Sequence, residues 1–151
     1  MRKIFMAVTA ALLSAASVAG AQRTEVLATV NQFANGFNKG DIKAAVAMCA
    51  DETSIIDEIA PYEWHGAEGC TKWANDYDAD ATKNGITEGF VTLGAPRDVT
   101  ITGDNAYVVL PATYRFKQKG KLIRQTGAVL TVALQKGDSG WRITAWSWAK
   151  P

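Results

Sequence analysis

Hydrophobic positions in this chain change period once, near residue 85. Before it, apolar residues recur every three or four positions. Val26, Val30, Phe33 and Phe37 predict an amphipathic helix over Thr24 to Asn38, with Gly40 ending it and Asp41 as N-cap of the next. Ile42, Ala45, Val46 and Cys49 predict a second helix from Ile42 to about Ala50. Cys70, Trp73, Ala74, Tyr77 and Ala81 predict a third from about Ala67 to Lys83, stopped at Asn84-Gly85. Between these helices, "TSIIDEIAPYEWHG" reads as two short strands joined by a turn at Ala60-Pro61.

After Gly85 the period is two. Gly89 to Ile101 reads as one extended stretch, turned at Gly103-Asp104-Asn105. Ala106, Val108, Leu110, Ala112, Tyr114 and Phe116 alternate along the next strand, and Ala128, Leu130, Val132 and Leu134 along the one after it. The predicted order is αα-ββ-α-ββββ, an α+β domain with an antiparallel meander. On the last strand, "GWRITAWSWAKP", strict alternation puts Trp146 and Trp148 with Arg142 and Thr144, and Trp141, Ile143 and Ala145 on the opposite face. Both faces are then apolar. One must pack under the helices, and the other would need a second subunit to cover it, so a homodimer is expected.

The first 21 residues read differently. Arg2 and Lys3 precede the apolar run Ile4 to Val18, followed by Ala19-Gly20-Ala21, the pattern of a bacterial signal peptide. The run is shorter than the ~20 residues that span a bilayer. The expected mature chain is a single domain, residues 22–151, periplasmic or secreted, with no membrane span. Without Arg2 and Lys3, the 16 basic residues become 14 against 15 acids. No basic field is left for nucleic acid. In an oxidising compartment Cys49 and Cys70 read as a disulfide; two buried thiols are the alternative.

Taken together, the order of elements, "NKGDIKAAVAMCADETSIIDEIAPYEWHG" and the terminal "GWRITAWSWA" resemble the nuclear transport factor 2-like superfamily, and most of all its SnoaL-like branch. The resemblance implies a cystatin-like cone: three N-terminal helices packed on a strongly curved, mixed, mostly antiparallel sheet around an apolar cavity. It implies that the ends bearing Cys49 and Cys70 approach each other and are bridged. It also implies a pocket for a small apolar molecule, with Phe33, Phe37, Trp73, Tyr77, Tyr114, Leu130, Trp146 and Trp148 as candidate lining. Laid against the ketosteroid isomerases of the same superfamily, Asp57 falls on their general base. Phe33 and Leu130 stand where those enzymes keep their oxyanion donors. A phenyl ring and an isobutyl group donate no hydrogen bond, so that activity is not expected.

Asp57, flanked by Ile55 and Ile56, is the candidate catalytic base, its pKa raised by apolar neighbours. Its alternative is a surface acid paired with Arg97, Arg115 or Arg124. His65, the single histidine, would assist it, or else bond a loop carbonyl. Neither a metal nor a cofactor is expected. "DYDAD", Asp76 to Asp80, lacks the glycine and glutamate of a calcium loop and reads as a solvated helix face. "GDSG", Gly137 to Gly140, reads as a turn. Three functions fit: a small-ligand-binding domain, an acid–base enzyme (isomerase, hydrolase or lyase) using Asp57, and an association module with a filled cavity.

Overall fold

A computed structural model describes residues 5–151, with side chains from Val18 onward. The element order is α1 (Phe5–Asn38), α2 (Ile42–Val46), β1 (Cys49–Ile56), β2 (Glu63–Trp64), α3 (Gly69–Asn84), β3 (Ile86–Leu93), β4 (Asp98–Thr102), β5 (Asn105–Gln118), β6 (Lys121–Gly137) and β7 (Gly140–Ala149). The strands form one sheet in the order β2-β1-β7-β6-β5-β3, with β4 also paired to β5. Every pairing is antiparallel except β1 with β7. Three helices on this mixed, mostly antiparallel sheet make the expected α+β cone.

Four boundaries differ from the sequence reading, each for a local reason. α1 starts upstream of Thr24 and runs through Ala19 to Ala21, because the alanine-rich stretch is itself a good helix former. α2 ends at Val46, not Ala50: Cys49 is taken up by β7, pairing with Ile143, whose N–H bonds the Met48 carbonyl. α3 starts at Gly69 rather than Ala67, where the backbone packs against the Thr53 carbonyl too closely for any Cβ. The stretch Gly89 to Ile101 is two strands that lie end to end along β5. They part at Gly94 to Arg97, opposite Pro111, which has no N–H to offer at the gap.

The correction with most consequence lies in β7. Ile143 pairs with Leu134 and Ala145 with Ala133, so Thr144 is an extra residue with no opposite number. This β-bulge resets the alternation. Trp146 faces Val132 and Trp148 faces Leu130, on the same side as Ile143 and Leu134. Trp141 (2% exposed) and Ile143 (0%) are therefore buried in the same core as Trp146, and not on an outer face awaiting a partner. Two more bulges curve the sheet. Gly127 (φ +88°) interrupts β6 between Thr126 and Ala128, and Glu88-Gly89 interrupts β3 between Thr87 and Phe90.

The helices cover the concave face. Asn38, the last residue of α1, clamps the sheet's outer edge. Its side-chain amide donates to the Val91 carbonyl at 2.8 Å and its oxygen accepts from the Val91 N–H at 2.6 Å. A disulfide joins Cys49 at the start of β1 to Cys70 in the first turn of α3. Replacing both cysteines by alanine is expected to cost about 3 kcal/mol on the chain-entropy account of a loop this long, read as a lower urea midpoint. Two free thiols in unreduced, unfolded protein would contradict the bridge.

Candidate functional site

The curvature leaves a cavity of about 240 Å³ between the helices and the sheet. α1 contributes Phe33, Ala34 and Phe37, and α3 contributes Trp73, Tyr77 and Asp80, each set spaced to share one helix face. The loop after β1 contributes Asp57, Glu58 and Ile59. The sheet wall is Ile86 and Val91 of β3, Tyr114 and Phe116 of β5, Gln125 and Leu130 of β6, and Trp146 and Trp148 of β7. All eight lining candidates named from the sequence are there.

The rings interlock. Trp73 meets Trp146 edge to face at 4.8 Å, Phe37 meets Tyr77 at 5.0 Å, and Tyr114 stacks on Phe116 at 4.8 Å. Such pairs fix ring orientation as well as burying area. The Tyr77 and Tyr114 hydroxyls are hydrogen-bonded to each other. The β3 bulge makes room for them: a Cβ on Gly89 would stand 2.9 Å from each hydroxyl oxygen. Burial raises the pKa of both tyrosines, so both stay protonated at neutral pH.

Asp57 is the principal ionisable group in this lining. Its Oδ2 accepts from the Trp73 indole N–H at 2.7 Å and its Oδ1 from the Glu58 backbone N–H at 2.7 Å. Desolvation outweighs both bonds and, with the neighbouring Glu58 charge, raises the carboxyl to about 6. None of Arg97, Arg115 and Arg124 pairs with it among the described ion pairs. Of the two flanking isoleucines, Ile55 is buried and Ile56 is 59% exposed. At neutral pH this is a carboxylate of raised basicity beside an apolar space, the environment of a proton acceptor or of a partner for a ligand's polar group.

His65 is not part of the site. Ile55 and Trp64 pair across β1 and β2 and are buried, which turns the next residue, His65, outward. Its side chain is 59% exposed and stands 3.4 Å from Glu63. The Asp76 to Asp80 face is not merely solvated either. Asp76 accepts from the Trp64 indole at 2.8 Å, and Asp80 reaches the cavity while accepting from Asn84. Among the described residues no cluster of His, Cys, Asp and Glu could hold a metal ion. Glu58, Asp80 and Gln125 escaped the sequence reading, since polar residues carry no periodic signal that separates a cavity wall from solvent.

An acid whose pKa rises on folding loses stability as pH climbs from its unfolded value to its folded one. The Asp57 charge is thus a cost above about pH 6 and none below 3.8. Asp57→Asn is expected to be more stable than the parent by about 1–2 kcal/mol near pH 8 and level with it near pH 4. Chemical denaturation of the two proteins at both pH values checks this; a gap independent of pH would refute it.

Comparison with known proteins agrees with the fold. No functionally curated protein matches the sequence significantly. Among solved structures, the chain is similar to a nuclear transport factor 2-like superfamily protein from Salmonella enterica serovar Typhimurium (16% identity, 88% of this chain and 93% of that one, TM-score 0.74). It is similar to a nuclear transport factor 2-like protein with a cystatin-like fold from Novosphingobium aromaticivorans (16%, 91% and 87%, 0.72). It is also similar to a ketosteroid isomerase-like protein from Erwinia carotovora atroseptica (16%, 84% and 94%, 0.66). At these identities the likeness is one of fold. Residues 26–148 match the SnoaL-like domain over most of the chain, and the protein belongs to the SnoaL-like domain family.

Proposed function

We propose that this chain is a small-ligand-binding domain whose conical cavity takes up one largely apolar molecule. The observation that carries the reading is the aromatic cavity itself, open and not filled by its own side chains. That it is unfilled also tells against a pure association module. A dry cavity of ~150 Å³ holds benzene. By proportion, about 240 Å³ accommodates about ten non-hydrogen atoms, a substituted single ring or a small bicycle. Trp73, Trp146 and Trp148 in the wall supply the signal for a test. Phenylpropanol is expected to change tryptophan fluorescence saturably, and Ala34→Leu, which narrows the cavity from α1, to weaken binding at least about tenfold. No saturable change with the parent protein, from this alcohol or from its amine and carboxylate analogues, would overturn the reading.

A second reading is favoured by one observation, the raised basicity of Asp57. In an acid–base enzyme it would take a proton from a hydrophobic substrate, without help from His65. Asp57→Asn would then lower turnover at least about 10²-fold. Unchanged turnover would remove the base from the mechanism.

Export and pairing complete the proposal. The charged start, apolar run and Ala19-Gly20-Ala21 support a cleaved signal peptide, and the disulfide is compatible with an oxidising destination. Among the described residues no helix is long and apolar enough to cross a membrane. A homodimer would use the convex face, where Val109, Thr131, Ala133, Ala145 and Ser147 adjoin across β5, β6 and β7. Exported protein is expected to begin at Gln22 by intact mass and to scatter light as a dimer that Thr131→Arg dissociates. A start at Met1, or a monomer at high micromolar concentration, would refute the respective part.

A further inference from the structure

The cavity lining is one-sided in charge. It contains three carboxylates, Asp57, Glu58 and Asp80, and neither lysine, arginine nor histidine. Eight of its side chains are aromatic, and the face of an aromatic ring is the negative end of its quadrupole. Glu58 is paired with Lys150 at 3.3 Å and Asp80 accepts from the Asn84 amide, but Asp57 is met only by two N–H dipoles. An anionic ligand would meet three carboxylates and no cationic side chain in the lining. A neutral one would leave the Asp57 charge buried without a counter-ion. An organic cation would be attracted to both the rings and the carboxylate.

Two polar atoms of the lining residues are buried without a partner. Gln125 Oε1 is buried and accepts no hydrogen bond. Gln125 lies directly across from Tyr114, whose hydroxyl is within electrostatic reach of Asp57 and Glu58. A buried acceptor left unmet costs free energy. The Trp146 indole N–H, also in the wall, is an unmet donor.

We propose that the cavity is selective for a hydrophobic amine, with its ammonium group at Asp57 and its hydrocarbon part among Phe33, Trp73 and Trp146. The proposal rests on the ligand-binding reading above and specifies the chemical class. It also gives the selectivity a pH dependence. The ionisable groups around Asp57 are Glu58 in the same loop with its partner Lys150, Tyr77 and Asp80 of α3, and Tyr114 of β5. Both tyrosines stay neutral, and an alkylamine stays charged up to about pH 10. Amine affinity should therefore follow ionisation of Asp57, near pH 6.

Three probes of nearly equal size separate the possibilities: phenylpropylamine, phenylpropanol and phenylpropanoate, titrated against the intact protein by calorimetry. Near pH 8 the amine is expected to bind at least about tenfold more tightly than the alcohol, and the carboxylate most weakly. Near pH 5 the amine's advantage should fall to about threefold or less. In Asp57→Asn the ratio of amine to alcohol affinity should approach one, and Asp80→Asn should lower it by a smaller factor. An alcohol that binds as tightly as the amine near pH 8, or an advantage that survives in Asp57→Asn, overturns amine selectivity and leaves the ligand-binding reading standing. Failure of all three probes to bind overturns both.

Discussion

A sheet that packs helices on one face must collect its large apolar side chains on that face, and the final strand of this protein cannot do so by unbroken alternation. Trp141 and Ile143 differ in parity from Trp146 and Trp148. The extra residue Thr144 reconciles them. With Gly127, Glu88-Gly89 and the break in β1 between Cys49 and Ser54, it belongs to a set of irregularities on four strands that bend the sheet away from a flat ladder. A flat sheet would meet α1 and α3 all along its length. A bent one stands off from them in the middle, and the space between is the cavity.

That space determines the chemistry of the groups at its margin. Asp57 follows β1, in a loop that in a flatter fold would be open to water. Here the aromatic side chains of α1, α3 and β7 keep water away, and two N–H groups hold the carboxylate in place without neutralising it. The Tyr77–Tyr114 hydroxyl pair is the neutral counterpart. One hydroxyl donates and the other accepts, so each polar atom has a partner in the apolar wall. The site thus keeps one group of raised basicity inside a lining whose other ionisable groups are satisfied by neighbours.

Much of this was legible from residue pattern alone. Period 3.6 before Gly85 and period 2 after it follow from which side of each element faces the core, so they located helices and strands, and the resemblance to the SnoaL-like branch turned eight of these residues into a candidate lining. What escaped has a common cause. Thr144 is an ordinary strand residue, and nothing local distinguishes a bulge from a regular position. The end of α2 is decided by Ile143, almost a hundred positions away in sequence, which draws Cys49 into the sheet. The break between β3 and β4 falls within what reads as one extended stretch, since Pro96 and Pro111 are each compatible with a continuous edge strand. His65 is turned outward by the burial of its neighbour Trp64, a matter of register that the sequence does not display.

The clamp of Asn38 on Val91 reaches beyond the domain's own packing. β3 ends the hydrogen-bonded sheet, and an open edge is a template on which a stray strand from another molecule can grow. At Val91 the amide and carbonyl that such a strand would need are already engaged by a side chain that presents one donor and one acceptor and then stops. The asparagine acts as a one-residue false strand. It gives the edge a terminus, so the same contact that ties α1 to the cavity wall also opposes fibrous assembly at high concentration.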